Sequence, residues 1–344
     1  MTRPLRILLV ANDGLSAGHV ARTIAIAGAL SRVDDTKVVL ATTSQAHALL
    51  AASSAVVVQL PAPVVARNAG FSDTERRRLV SGTIEGLARS FAPDLVAIDT
   101  FPLGPHRELA GIDLGYAKRA LVRRHVPTLD NPVLTDGAEL LDLVVLADDG
   151  GRVEGTTGNA KHVHVPPITM APTAKPRAEA RRELGLPLEG RIFLVAAGGG
   201  GDEEATTRAS QLAEALVRTD AECTVALALG PLAAAPSRAS RILPVQAAPL
   251  APFLAAFDGA FAPAGYNTTH ELALARVPAV LFASPRPFDD QLARAMRFGA
   301  TILESFDDAV VARASGAMKP LRAIAPGGAD RAAEALIALV KERA

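Results

Sequence analysis

The segment LRILLVAND, Leu5 to Asp13, is a continuous apolar run ended by polar turn residues, and GHVARTIAIAGALSR behind it spaces its apolar residues at helical period. No other feature constrains the fold as tightly. A strand of this kind is buried on both faces, and a parallel sheet with helices laid over it provides that burial. The couple recurs along the chain. TKVVLATTS and SQAHALLAAS read as a second strand and helix, VVVQLP as a third strand, and PDLVAIDT and LDLVVLADD as later ones. Ala66 to Arg78 reads as a polar stretch before a helix that ends near Phe91, and Phe101 to Pro132 reads as loop. Four prolines between Val163 and Pro176 then break the pattern, as a linker would.

After the prolines the alternation restarts. RAEARRELGL is a helix, GRIFLVAAGGGG a strand ending in glycines, EEATTRASQLAEALVR a helix, and ECTVALALG and SRILPV strands. APFLAAF is a short helix, DGAFAPAG a strand, TTHELALAR a helix and VPAVLFAS a strand; FDDQLARAMRFG and GADRAAEALIALVKER close as helices. Alternating strands and helices imply βαβ units. The expected organisation is a first domain over 1–163, a linker over 164–176, a second domain over 177–328, and a closing helix over 329–344 that packs back on the first domain. A chain of 344 residues suits two such domains. Ligands of open parallel sheets sit outside the carboxyl ends of the strands, so two doubly wound domains would face a cleft with those edges.

Composition narrows the function. Lys plus Arg and Asp plus Glu are equal at 36 each, without the basic surplus of a general nucleic-acid binder. The one cysteine, Cys223, lies in the apolar run CTVALAL and reads as a buried thiol; an intrachain disulfide and a cysteine metal cluster are both excluded. HExxH and Asp-x-Asp are absent, so neither a metal nor another cofactor is expected. His162 and His164 alternate along an apolar segment and read as strand residues. With no signal-peptide pattern and no apolar run of membrane-spanning length, the expected location is the cytoplasm.

Three strand ends stand out. Gly198 to Gly201 follow a strand and precede a helix, where backbone N–H groups favour an anion and glycines admit it closely; neither GxGxxG nor a P-loop lysine is present. APAGYNTTHE, Ala262 to Glu271, is a second strand-glycine-helix junction, set with Gly265, Tyr266, Asn267 and Thr268. Thr268 with Glu271 has the spacing of a capping box, which gives Glu271 a purely structural alternative. PFDDQ places Asp290 and Gln291 behind the next strand, with a helix start as their alternative. Near the N-terminus, ANDGLSAGHVAR sets His19 at a helix start, and Asp99 ends a neighbouring strand; a carboxylate beside a histidine orients it and raises its basicity. Arg76, Arg77 and Arg78 read as a solvated helix face.

GHVARTIAIAGAL, GGGG and APAGYNTTHELALARVPAVLFASPRPFDDQ together resemble the GT-B glycosyltransferases, in particular the MurG-type group (glycosyltransferase family 28) and the UDP-glycosyltransferases. The resemblance spans nearly the whole chain, and its C-terminal part is the more specific. It implies two Rossmann-like doubly wound domains, an acceptor on the first and a UDP- or dTDP-sugar on the second. Gly200 and Gly201 would face the diphosphate with Gly265 and Tyr266; Asn267 and Thr268 belong to the same turn. Glu271 would meet the ribose hydroxyls, Asp290 and Gln291 the sugar, and the segment around Val245 and Gln246 the base. His19 matches the catalytic or acceptor-orienting histidine, and Asp13 is a rival base. The sequence departs from the family at Pro263-Ala264-Gly265, where a histidine commonly precedes two glycines, and at Arg294, where asparagine is usual. The activity so implied is inverting, metal-independent transfer to a small-molecule or lipid-linked acceptor, as in antibiotic biosynthesis, with peripheral membrane contact open. A nucleotide-sugar hydrolase or 2-epimerase, or a non-catalytic binding subunit, are the alternatives.

Overall fold

The computed structural model describes residues 3–12, 17–124, 131–150, 159–170, 173–198, 203–230, 240–284, 286 and 288–342. Two compact units divide the chain: one combines 1–14, 18–168 and 327–344, the other 15–17 and 169–326. The first unit is built on β1 (Leu5–Ala11), α1 (Gly18–Leu30), β2 (Thr36–Thr42), α2 (His47–Ala51), β3 (Val56–Gln59), α3 (Pro63–Asn68), α4 (Asp73–Phe91), β4 (Leu95–Asp99), β5 (Lys118–Arg124), α5 (Pro132–Thr135), β6 (Leu143–Ala147) and β7 (Lys161–Val165). Its strands are all parallel, in the order β3-β2-β1-β4-β5-β6-β7. β1, β4 and β6 are buried on both faces, as continuous Leu, Ile and Val runs require.

The second unit carries α6 (Arg177–Glu183), β8 (Arg191–Ala196), α7 (Glu203–Thr219), β9 (Cys223–Ala228), β10 (Ile242–Val245), β11 (Gly259–Pro263), α8 (Tyr266–Ala275), β12 (Pro278–Phe282), α9 (Gln291–Arg297), β13 (Thr301–Ile302), α10 (Asp308–Gly316) and β14 (Lys319–Pro320). The order β10-β9-β8-β11-β12-β13 is parallel throughout, and β14 joins β12 antiparallel. Two apolar layers cover this sheet. Ala264, Leu272, Ala295 and Phe298 pack on one face, and Leu212, Leu216, Val311 and Ala314 on the other. Among the described residues no helix is long and apolar enough to cross a membrane.

In each sheet the strand order reverses about the first strand. β1 lies between β2 and β4, and β8 between β9 and β11. Helices leaving the carboxyl ends on either side of that reversal diverge to opposite faces and leave room for a ligand.

Several elements differ from the sequence reading. Arg119 to Arg124 interrupt an apolar run with charge, so KRALVRR reads as loop, yet it forms β5 because the strands on both sides bury Ala120, Leu121 and Val122. The stretch before α4 is partly helical, as α3. The helix start at Asp73 is a capping box, in which Ser72 accepts from the Glu75 N–H and Glu75 accepts from the Ser72 N–H. Arg76 is not solvated: it is buried with Glu108 at 3.4 Å, and only Arg77 and Arg78 of the triplet are exposed.

The last helix, α11 (Gly328–Lys341), belongs to the first unit and lies against α1, β6 and β7. Gly328 begins it. A Cβ there would stand 2.2 Å from the backbone carbonyl oxygens of Pro166 and Pro167. Backbone cannot yield as a flexible side chain does, so Gly328→Ala is expected to lower stability by roughly 1–3 kcal/mol in urea unfolding. Gly86→Ala, in α4 with open space at the Cβ position, is the control and is expected to raise stability by roughly 0.5–1 kcal/mol.

Candidate functional site

In the first unit the chemistry gathers at the reversal. His19 is the second residue of α1, behind β1, and Asp99 is the last residue of β4. The His19 Nδ1 stands 2.5 Å from Asp99 Oδ2, so with the carboxylate ionised Nδ1 carries the proton and Nε2 is the acceptor. Nε2 makes no hydrogen bond among the described residues, and the side chain keeps 19% exposure against 3% for Asp99. Phe101 flanks the imidazole with ring centroids 5.7 Å apart. Arg22 donates from Nε to Asp99 Oδ1 at 2.7 Å and from Nη2 to Oδ2 at 2.8 Å. Burial opposes the charge on Asp99, but Arg22 and then His19 outweigh it and hold the carboxyl well below the usual range. Asp13, the rival base, lies outside the described residues.

In the second unit a glycine junction follows β11. Gly265 is the N-cap of α8, and no side chain caps the helix. A helix N-terminus favours an anion, and the first turn carries no acidic residue to repel one. A Cβ on Gly265 would meet nothing within 4 Å. Thr268 lies inside the helix and not at its cap, so the capping box with Glu271 does not form. The spacing is right but the helix begins three residues earlier than the pattern implies, because the Ala264–Gly265 turn already ends the strand. Glu271 is half-buried and makes no hydrogen bond or ion pair with the described residues. Burial raises its carboxyl to about 8.

Other candidates are already engaged. Tyr266 is 6% exposed and its ring lies 4.2 Å from the His270 ring, whose Nδ1 bonds the Tyr266 carbonyl. Asn267 is half-buried beside it. Asp290 is the N-cap of α9 and accepts from the Ala293 N–H at 2.9 Å. Gln291 accepts from the Ser284 N–H at 2.9 Å and is 6% exposed. Val245 is buried at the end of β10 and Gln246 is exposed after it. Gly198, two residues after β8, has φ +88°, a left-handed conformation open to glycine, while Gly200 and Gly201 lie outside the described residues.

The sequence reading missed Arg22 and the role of Arg294. Arg22 was discoverable, since it falls one helical turn after His19. Arg294 joins the Ala264 carbonyl at 2.8 Å to Asp289 Oδ1 at 2.6 Å and so ties the start of α8 to the loop before α9. No sequence pattern signals that bridge.

No protein-family model and no curated protein matches the chain. Solved structures do. The calicheamicin glycosyltransferase CalG4 aligns at a TM-score of 0.66 with 16% identity, covering 100% of each chain. The fold is GT-B. The spinosyn rhamnosyltransferase SpnG, complexed with thymidine diphosphate, aligns at 0.55 with 15% identity over 98% of this chain and 96% of its own. MurG of Acinetobacter baumannii aligns at 0.54 with 17% identity over 97% of this chain and 100% of its own. The two Rossmann-like sheets, with their reversals at β1 and β8, match that architecture.

Two predictions follow from the charges. The folded chain keeps the Glu271 proton up to about pH 8, whereas an unfolded chain releases it near pH 4.3. Stability therefore falls as pH rises between those values, by up to a few kcal/mol. Thermal melts of Glu271→Gln at pH 5 and pH 8 are expected to show a flattened dependence and a gain at pH 8. Asp99 has the opposite sign: its contribution is present above about pH 4 and is lost as pH falls below it. Asp99→Asn leaves Arg22 buried without its counter-charge and is expected to cost about 3–5 kcal/mol at pH 7 by chemical denaturation.

Proposed function

We propose that the chain is an inverting glycosyltransferase that moves a sugar from a UDP- or dTDP-sugar to a hydroxyl of a small-molecule or lipid-linked acceptor. The observation that carries this reading is the His19–Asp99 pair at the reversal of the first sheet, with Nε2 left to accept a proton. The likeness to glycosyltransferases in fold supports it, and SpnG carrying thymidine diphosphate supports the donor class.

In this reaction His19 Nε2 removes the proton of the acceptor hydroxyl as that oxygen bonds to the anomeric carbon. The bond from the anomeric carbon to the diphosphate oxygen breaks on the opposite face, so configuration inverts. Negative charge grows on the departing diphosphate, and the N-terminus of α8 meets it with the positive end of the helix dipole. Gly200 and Gly201 serve the same diphosphate, and no metal is needed for this neutralisation. Glu271, without a partner among the described residues, accepts from the ribose hydroxyls; Asp290 and Gln291 contact the sugar, and Val245 and Gln246 cover the base. A carboxylate is the better acceptor, so nucleotide affinity rises with pH toward about 8.

The test is to incubate the protein with UDP- and dTDP-sugars, with and without acceptor hydroxyls, and to analyse products. Transfer with inversion is the expected result. Release of free sugar to water would indicate a hydrolase, and nucleotide binding without turnover a binding subunit. His19→Ala is expected to lower kcat by roughly a hundred- to ten-thousand-fold with little change in donor affinity. Full transfer by that variant, or a larger loss in Asp13→Ala, would move the base elsewhere. Glu271→Ala is expected to weaken nucleotide binding in calorimetry at pH 8; unchanged affinity would leave Glu271 without this role.

A further inference from the structure

Arg22 and His19 are three residues apart on α1, so their side chains leave neighbouring points of one helix face. Both end on Asp99. Arg22 holds both carboxylate oxygens, through Nε at 2.7 Å and Nη2 at 2.8 Å, while His19 Nδ1 shares Oδ2 at 2.5 Å. A carboxylate held by an imidazole alone is free to turn about its Cβ–Cγ bond. A planar guanidinium bonded to both oxygens fixes its plane. Thr100 completes the set: its hydroxyl accepts from Arg22 Nη2 at 2.9 Å and donates to Asp99 Oδ2 at 3.0 Å. Thr100 stands at φ 63°, a costly conformation for a β-branched residue, and its N–H is pinned to the Val122 carbonyl at 2.8 Å.

We propose that Arg22 is a positioning residue for His19: it holds the Asp99 carboxylate in the plane that aims the imidazole, and by sharing the carboxylate's charge it sets the pH range in which His19 takes up a proton. The proposal rests on His19 being the base. Arg22 is 2% exposed and Asp99 5%, so their mutual charge is poorly screened by water. With Arg22 present the imidazole faces a carboxylate already matched by a cation. Without it, the imidazole faces the full negative charge, which favours its protonated form.

No other described cation bonds to Asp99. α1 packs on β1, β2, α2 and α11. Arg6 of β1 is turned to the Phe91 carbonyl, and Lys37 of β2 and His47 of α2 are exposed. On α11, Asp330 pairs with Arg32, and Arg331 with Glu334. On β5 the residue in register with Asp99 is Val122; Arg123 leaves the other face, and Arg124 stands two residues further along.

The experiment follows the His19 imidazole by NMR across pH in the full chain and records the pH profile of kcat/KM for transfer beside it. In Arg22→Met the imidazole titration and the acid limb of the rate profile are expected to move together to higher pH, with kcat lowered roughly tenfold or more. Arg22→Lys keeps the charge but loses the fork, so the acid limb should stay near the native position while kcat falls. In an Asp99→Asn background, Arg22→Met should no longer move the titration upward, because the carboxylate charge is gone. An unmoved titration in Arg22→Met overturns the proposal. If that variant does not fold, Arg22→Lys decides, and native kcat there overturns it. A protein that transfers no sugar removes the reading of His19 as base, whereas the NMR titration still reports whether Arg22 governs the imidazole.

Discussion

Parallel strand pairing is the constraint on which the rest depends. A parallel strand cannot be reached by a tight turn, so each pairing draws a long connection over a face of the sheet. At β1 and at β8 the strand order reverses, which is where sheets of this kind leave an opening beyond the carboxyl ends. His19 and Asp99 occupy the first of these openings. The uncapped start of α8 borders the second.

Buried charge is the second organising force. Arg22 with Asp99, Arg76 with Glu108, and Arg294 with Asp289 each place a cation that is at most 2% exposed against a carboxylate. Such pairs are not bargains in stability, since removing both ions from water offsets much of their attraction. They do fix geometry. Arg22 sets the plane of Asp99, and Arg294 couples the Ala264 carbonyl before α8 to the loop that carries Asp290 and Gln291. Glu271 stands apart because it lies half-buried with no such partner among the described residues, and burial raises its carboxyl.

Most strands were legible in the chain because their apolar runs match burial on both faces, as in LRILLVA and LVAID. β5 was not, since charges toward both of its ends mask a buried run, Ala120 to Arg123, that only its two neighbours create. The histidine–carboxylate pair was suggested by the position of each residue at a strand end, an argument from topology. The capping box at Thr268 failed because spacing alone does not say which residue starts a helix. Arg76 was misjudged for a similar reason: its triplet looks uniformly polar, but a helix turns the first of the three inward to Glu108.

The sequence by itself determined the two doubly wound sheets, because hydrophobic period and turn residues are local properties. Tertiary structure alone decided which charges meet. Arg22 and Asp99 are 77 positions apart, and Arg294 reaches a carbonyl 30 positions away. Contacts of that kind follow from strand order and from the low dielectric that surrounds them, and neither is written in any short stretch of the chain.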